Sequence, residues 1–197
     1  MGRPPRHDAE SLLDAAAHLA AEQGPRGVTM TAVARKAGAP SGSVYHRFPG
    51  RPDLLAALWL RSLDRFQSGF LEAITDPDPL ASARAGAAHV VRWSRENPSD
   101  AAILLYSAAD FGRAEWPEPE RDRLDRANRR VAKEIRKLAT ALGHDSPRDV
   151  EQMRIALIDI PYALVRRNYR AGKKIPKYAE ELAADCVTAL LTREARA

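Results

Sequence analysis

Residues 29–48 read TMTAVARKAGAPSGSVYHRF, and this stretch predicts two short helices joined by a tight turn. In the first half, Val33, Ala34 and Ala37 fall on one helical face, whereas Arg35 and Lys36 fall on the other. Thr29 or Thr31 can cap this helix through its hydroxyl. The stretch therefore begins with a short amphipathic helix.

The second half predicts a turn followed by a second helix. Gly38 can adopt the left-handed backbone that ends a helix, and Pro40 prevents the first helix from continuing. A new helix begins near Ser41, with Val44 and Phe48 one turn apart on its apolar side. Two helices joined in this way form a helix-turn-helix, whose second helix can enter the major groove of DNA.

The sequence pattern of this region resembles that of a known family. The pattern contains T-x-x-x-[VI]-A-x-x-A-G, then S-x-x-[VL]-Y-x-x-F, and then a basic residue and a leucine pair. The whole match spans Leu12 to Leu55. This pattern resembles the TetR family of bacterial transcriptional regulators. The resemblance implies an all-α chain of about nine helices, with a three-helix DNA-binding domain at 1–50. A helical bundle at 51–197 would serve ligand binding and dimerisation.

The resemblance also implies which residues contact double-stranded DNA. Base edges or the groove wall would meet Ser41, Gly42, Ser43 and Tyr45, with Thr31 near the groove. Phosphates would be held by Thr29, Tyr45, His46, Arg47 and Arg51. For His46, a solvated surface position is an open alternative. Arg51 stands where the family usually has lysine.

Composition excludes several classes of protein. The chain has 197 residues, of which 45% are hydrophobic and 29% charged, so it is expected to be globular with a sizeable core. The net charge of +5 suits a nucleic-acid partner. Cys186 is the single cysteine, and no apolar run is long enough for a membrane span. The N-terminus lacks the apolar segment of a secretory signal, which predicts a cytoplasmic protein without a membrane partner.

Residues 1–8 predict an extended arm. Arg3 and Arg6 flank Pro4 and Pro5, which disfavour a helix. Such an arm could reach a minor groove, and a solvated tail is the equal alternative.

Helices are predicted throughout the chain and no strand is expected. A first helix should span Asp8 to Gln23, and a long helix should begin near Pro52. Asp76-Pro77-Asp78-Pro79 predicts a loop. Further helices are predicted over 80–96, 99–111, 119–142, 147–171 and 177–193.

The helix predicted at 147–171 is apolar on two sides. One stripe contains Val150, Met153, Leu157, Ile160 and Leu164, and the other contains Ile155, Ile158, Tyr162, Val165 and Tyr169. A helix buried on both sides is either the centre of its own domain or part of an interface. We expect a two-fold, four-helix dimer interface, which the family resemblance also implies, and its residues would be Val150, Met153, Leu157, Leu164, Leu182, Cys186 and Leu190.

Aromatic residues of the C-terminal part are candidates for a small-molecule pocket, because such pockets combine apolar walls with a few polar groups. The candidates are Trp93, Tyr106, Phe111, Trp116, Tyr162 and Tyr169. For each of them, an ordinary core position is the alternative. Pro161 should bend its helix, either for packing or as a hinge.

Two other readings remain open from the sequence. An enzyme would need a reactive constellation, but the five histidines are scattered and no P-loop, GxSxG or CxxC pattern is present, so we expect no catalytic residue, metal or cofactor. A helical small-molecule-binding protein without DNA function is the main alternative.

The basic residues from Arg166 to Lys177 are expected to be a solvated face, and an anionic ligand or an acidic partner is the alternative.

Overall fold

The computed structural model describes residues 8–192, and within this range the chain forms helices and turns without a strand. The predicted N-terminal arm lies outside the described residues. The α-helices are α1 Ala9–Gln23, α2 Met30–Ala37, α3 Ser41–Arg47, α4 Arg51–Ala73, α5 Pro79–Glu96, α6 Pro98–Leu104, α7 Glu118–Ala141, α8 Pro147–Arg154, α9 Ile160–Arg170 and α10 Tyr178–Leu191. None of these helices combines the length and apolarity that a membrane crossing requires.

Helices α8 and α9 are joined by a π-helical turn, Ile155–Asp159, so that the chain is helical without a break from Pro147 to Arg170. Counting this run as one helix gives nine helices in the described range, which agrees with the prediction. The backbone N–H of Ile160 donates to the carbonyl of Ile155, five residues earlier. Pro161 follows directly, and because proline lacks an N–H and crowds the carbonyl four residues back, the wider turn accommodates it.

The prediction of a helix over 99–111 is too long. Helix α6 ends at Leu104, and the Asp110 carboxylate accepts hydrogen bonds from the backbone N–H and the hydroxyl of Ser107, both at 2.7 Å. Such local side-chain bonds offer the backbone an alternative to the helix. Gly112 then adopts φ 73°, a left-handed conformation that a helix interior does not allow. The spacing of apolar residues, from which the helix was predicted, contains no information about these hydrogen bonds.

The chain divides into two compact units. The first unit contains the chain up to Leu63 together with Pro98–Asp125. Its fully buried side chains include Leu12, Val33 and Val44 from α1 to α3. Trp116 is also buried, donates through Nε1 to the carbonyl of Phe111 at 2.8 Å, and packs 6.0 Å from the ring of Trp59. A DNA-binding domain that ends near residue 50 stays a prediction.

The second unit contains Asp64–Asn97 and the chain from Arg126 onward. One apolar cluster forms its core, and it combines Phe70 with residues of α5, α7, α8 and α10. His89 is buried against Phe66, with its Nε2 3.2 Å from the Phe66 carbonyl oxygen. A side chain at Gly69 would place its Cβ 2.6 Å from the His89 ring, so the ring requires glycine at that position.

Candidate nucleic-acid interface

Helix α2 begins at a threonine cap. Thr29 has an extended backbone, and its hydroxyl oxygen accepts a hydrogen bond from the backbone N–H of Ala32 at 3.1 Å. The hydroxyl of Thr31 lies 3.3 Å from that of Thr29. Both threonines are exposed, so the residue that caps the helix also stands on its surface.

The turn between α2 and α3 is fixed by Gly38. This residue has φ 63° and ψ 26°, the left-handed region that was predicted for it. The backbone N–H of Ala39 donates to the carbonyl of Ala34 at 2.9 Å, which closes the end of α2. Pro40 then leads directly into α3, and the N–H of Ser43 donates to its carbonyl at 2.9 Å. The predicted helix-turn-helix geometry is confirmed.

Helix α3 has one buried side and one open side. Val44 is fully buried and Phe48, immediately after the helix, is 7% exposed, so these two residues anchor α3 to the first unit. The opposite side carries Ser41 and Gly42, both exposed, and Tyr45, which is 52% exposed. Ser43 is half-buried. The open side is small and polar apart from one aromatic ring, and it leaves space for another molecule to approach the backbone.

His46 and Arg47 are exposed at the end of α3. Arg47 also influences Asp8, the cap of α1. The pKa of Asp8 is lowered chiefly by the backbone N–H of Ser11, with a smaller contribution from the positive charge of Arg47. The guanidinium of Arg47 therefore has an acidic neighbour in addition to its open surface.

Arg51 is placed differently from the other predicted DNA contacts. It is the first residue of α4, is half-buried, and donates through Nε to the carbonyl of Val28 and through Nη2 to the carbonyl of Pro25, both at 2.8 Å. The family resemblance implies a phosphate contact for Arg51 and does not indicate these two bonds. The two partners lie more than twenty residues away along the chain, and no local pattern signals them.

The first unit holds three of the predicted pocket residues. Phe111 and Trp116 are fully buried core side chains, and Tyr106 packs edge-on against Phe111 with ring centroids 6.1 Å apart. The hydroxyl of Tyr106 lies against Gly24, where a Cβ would approach it to 2.9 Å. These aromatic residues therefore have packing roles within the unit, and their participation in a ligand pocket stays a prediction.

The second unit holds the other three predicted pocket residues. Trp93 is 8% exposed and borders a depression of about 430 Å³ together with His89, Arg92 and Glu96. Tyr162 borders a separate depression of about 740 Å³ on α9, where the Arg166 guanidinium lies 4.7 Å from its ring centre. The pKa of His89 is lowered because burial disfavours its charged form. Tyr169 is 42% exposed on the surface.

The predicted dimer residues separate into two groups. Met153 and Leu157 are completely buried in the core of the second unit, so they have no surface to offer to another chain. Leu182 is 43% exposed, whereas Val150, Leu164, Cys186 and Leu190 are half-buried. The exposed members of the α8–α10 surface also include Ile155 and Tyr178, at 38% and 68%, which the predicted dimer set did not contain.

No group of three or more His, Cys, Asp or Glu residues within 8–192 could hold a metal ion.

Comparisons with known proteins agree with this geometry. Residues 12–58 match the family model described as bacterial regulatory proteins, tetR family. None of the curated proteins matches the chain. Among solved structures, the TetR family regulator PfmR from Thermus thermophilus is 19% identical, with a TM-score of 0.70 over 97% of this chain and 99% of that one.

Two further structures have the same fold. A transcriptional regulator from Rhodococcus sp. Rha1 is 19% identical, with a TM-score of 0.74 over 94% of this chain and 96% of that one. The regulator FadR from Bacillus subtilis, in complex with stearoyl-CoA, is 15% identical, with a TM-score of 0.72 over 94% and 98% of the two chains. The predicted resemblance to the TetR family is thereby confirmed: residues 12–58 match that family's model, and the chain has the fold of solved TetR family regulators.

Proposed function

We propose that this protein is a sequence-specific transcriptional regulator that binds an operator through α3. The observation that carries the proposal is the division of α3 into a buried side, Val44 with Phe48, and an open side of small polar residues around Tyr45. A recognition helix needs this division, because it must be held firmly by its own domain and still approach base edges closely.

In this proposal the open side of α3 lies in the major groove. Ser41, Gly42, Ser43 and Tyr45 contact base edges or the groove wall, where hydroxyls can pair with either donors or acceptors. Thr29, His46 and Arg47 contact phosphates, which fix the register on the duplex without reading its sequence. Thr31 stands near the groove at the exposed start of α2.

A dimer follows from the small size of this surface. One short helix reads only a few base pairs, so specificity requires two copies about 34 Å apart on a partly palindromic site. We propose that α8–α10 form the two-fold interface through exposed apolar residues, with Leu182, Ile155 and Tyr169 at its centre. The half-buried Val150, Leu164, Cys186 and Leu190 belong to the same proposal. Met153 and Leu157 are left out because they are enclosed in their own chain.

Repression released by a small molecule is the regulatory part of the proposal, and it rests on the family resemblance. A fold relative, the Bacillus subtilis FadR, was crystallised with stearoyl-CoA, which supports a small-molecule effector for this chain as well. The effector must bind one conformation more tightly than the other to shift DNA affinity. A broad thermal-shift screen of apolar and acyl compounds tests this part, and a flat response throughout would contradict it.

DNA binding is tested by fluorescence anisotropy with the promoter fragment beside the protein's own gene. The full chain should bind this fragment at least about 1,000-fold more tightly than random duplex, in the usual range of specific over non-specific binding. The logarithm of the affinity should fall steeply with the logarithm of salt concentration, because several phosphate contacts release counterions.

The alternative function, a helical small-molecule-binding protein without DNA activity, predicts a different result. Such a protein would show no preference between promoter and random duplex, whereas a hit in the thermal-shift screen would remain. In either case the protein is proposed not to be an enzyme.

A further inference from the structure

We propose that Arg51 is a positioning residue for DNA recognition, which holds the entry to α2 in place. The inference rests on the proposed function and concerns a residue that the family pattern would instead assign to a phosphate. Arg51 begins α4, and its side chain turns back to the connector between α1 and α2.

The connector is a 3-10 turn, Pro25–Gly27, followed by Val28 and the cap residue Thr29. Pro25 and Val28 are both buried. Arg51 donates to the carbonyl of each at 2.8 Å, through Nη2 and Nε respectively. The carbonyl of Pro25 also accepts from the backbone N–H of Val28 at 3.2 Å, so the loss of Arg51 would chiefly deprive the carbonyl of Val28 of its donor. A buried carbonyl that loses a donor carries a free-energy cost, so the Arg51 bonds favour one arrangement of the connector.

Thr29 follows Val28 directly, and its hydroxyl caps α2 through the N–H of Ala32. A displacement of Val28 therefore moves the cap, and with it the start of α2 and the exposed Thr31. Arg51 acts on the DNA-facing surface through this connection, without needing to touch DNA.

Arginine and lysine differ in their ability to make this contact. The guanidinium presents several N–H groups in a rigid plane, so two of them can meet two carbonyls at once. A lysine offers one nitrogen at the end of a flexible chain. Lysine would preserve the charge that a phosphate contact needs but would lose the paired bonds to the Pro25 and Val28 carbonyls, which we call the clamp. An Arg51→Lys variant therefore separates a positioning role from a phosphate contact.

The experiment compares Arg51→Lys and Arg51→Gln in the full chain, with operator DNA selected on the wild-type protein. We expect both variants to lose about tenfold in specific affinity, while the salt dependence keeps the wild-type slope. A phosphate contact predicts otherwise: Arg51→Lys would bind as the wild type does, and Arg51→Gln would reduce the slope by about 1.8, because each of the two copies in the dimer would lose one phosphate contact worth about 0.9. That second pattern would overturn the inference.

Arg61 provides a matched control. It lies on the same helix as Arg51, and it bonds the carboxylates of Glu10 and Asp14 on α1 at 3.0 and 2.8 Å. Arg61→Lys should lower the melting temperature without changing operator affinity. If Arg61→Lys weakens binding as much as Arg51→Lys does, general destabilisation explains the effect and the positioning role is wrong.

Amide hydrogen exchange tests the clamp without DNA. In Arg51→Lys, exchange should accelerate from Val28 to Ala32, whereas Arg61→Lys should leave these amides protected. Unchanged protection in Arg51→Lys would contradict the inference even if the protein binds DNA. The two experiments also separate this inference from the proposed function. If the wild-type protein binds promoter and random duplex equally while Arg51→Lys accelerates exchange, the proposed function is wrong, but Arg51 still holds the connector.

Discussion

The α2–α3 region and the α8–α10 region depend on their sequences in different ways. In α2–α3, Gly38, Pro40 and the alternation of buried and open residues define both the shape and the available side, and the structure agrees in detail. In α8–α10, two apolar stripes predict a helix but do not indicate which side faces the core and which side faces an interface. The structure assigns Met153 and Leu157 to the core and leaves Ile155 and Tyr169 exposed.

The difference shows what local chemistry can specify. A turn is determined by backbone preferences of a few neighbouring residues, which the sequence contains in full. The covering of a helix is determined by whichever distant elements pack against it. In the second unit, Ala83, Ala87, Ile135 and Ala183 share the apolar cluster that encloses Met153 and Leu157, and they come from three other helices.

The basic residues are unevenly distributed along the chain. Six of the 31 basic residues lie between Arg166 and Lys177, a stretch without an acidic residue, and the rest of the chain has 25 basic and 26 acidic residues. All six are exposed. The net positive charge of the chain therefore resides in the second unit, and it is not by itself support for DNA binding by α3.

The largest expected effect tests the core side of α8–α10. Leu157→Ala should lower the free energy of unfolding by about 2–5 kcal/mol, because it opens a cavity in a fully buried site. Chemical denaturation measures the loss, and Leu71→Ala, at a half-buried position of the same unit outside the proposed interface, is the matched control. Equal losses in the two variants would contradict the assignment of Leu157 to the core.

Tyr45→Ala tests the open side of α3. Since a dimer would lose two such side chains, specific DNA affinity should fall at least about 30-fold, from about 1–3 kcal/mol for each of the two contacts. Anisotropy measures the affinity, and light scattering should show unchanged self-association. Retained specific binding would mean that the recognition surface lies on another helix.

Leu182→Glu tests the proposed interface side of α8–α10. A charge placed at the centre of an apolar interface should weaken self-association at least about tenfold, by the cost of burying it unpaired. Multi-angle light scattering over a micromolar concentration series measures this change. Glu181→Gln, an exposed neighbour, is the control. A wild-type protein that is monomeric throughout the series would refute the dimer proposal.

Gly38→Ala tests the turn itself. A Cβ at this position meets no neighbouring atom within 4 Å, so the expected cost of about 1 kcal/mol comes from the left-handed backbone alone. Gly42→Ala is the control, because it also meets nothing and has an ordinary helical backbone. If the two variants unfold at the same denaturant concentration, the turn does not depend on glycine.

The last expected effect concerns His89 in the second unit and depends on pH. Burial lowers its pKa, with the carbonyl of Phe66 and the charge of Glu72 opposing and Arg92 adding to the shift. The unfolded chain then binds the proton first as pH falls below about 6.5, so stability should decrease toward acid by at most about 1.4 kcal/mol per pH unit. Denaturation of His89→Gln at pH 7 and 5.5 should show a weaker pH dependence than wild type. An identical dependence would exclude His89 as its source.

Much of the fold was predictable from local signals. Asp8, Thr29 and Ser146 cap α1, α2 and α8 through their side chains, and each precedes a helix that the sequence predicted. The helix predicted over 99–111 failed because a hydrogen-bonded turn at Ser107 and Asp110 competes with it. Helix periodicity counts apolar residues and does not weigh such bonds.

The candidate site was predictable where it depends on neighbours in the chain. Ser41, Gly42 and Tyr45 follow from the turn and from the spacing of Val44 and Phe48. For Arg51 the phosphate contact stays a prediction, and its bonds to Pro25 and Val28 could not be predicted, because these residues lie on a connector more than twenty residues away along the chain.

The sequence by itself determined that this chain is helical, where its main turns fall, and which residues α3 leaves open, since backbone preference and spacing act over a few residues. Only the tertiary structure decided which residues of the two apolar stripes become core and which carbonyls Arg51 holds. These outcomes depend on side chains that meet across tens of residues, where packing and hydrogen bonding select one of several arrangements that local preference does not distinguish.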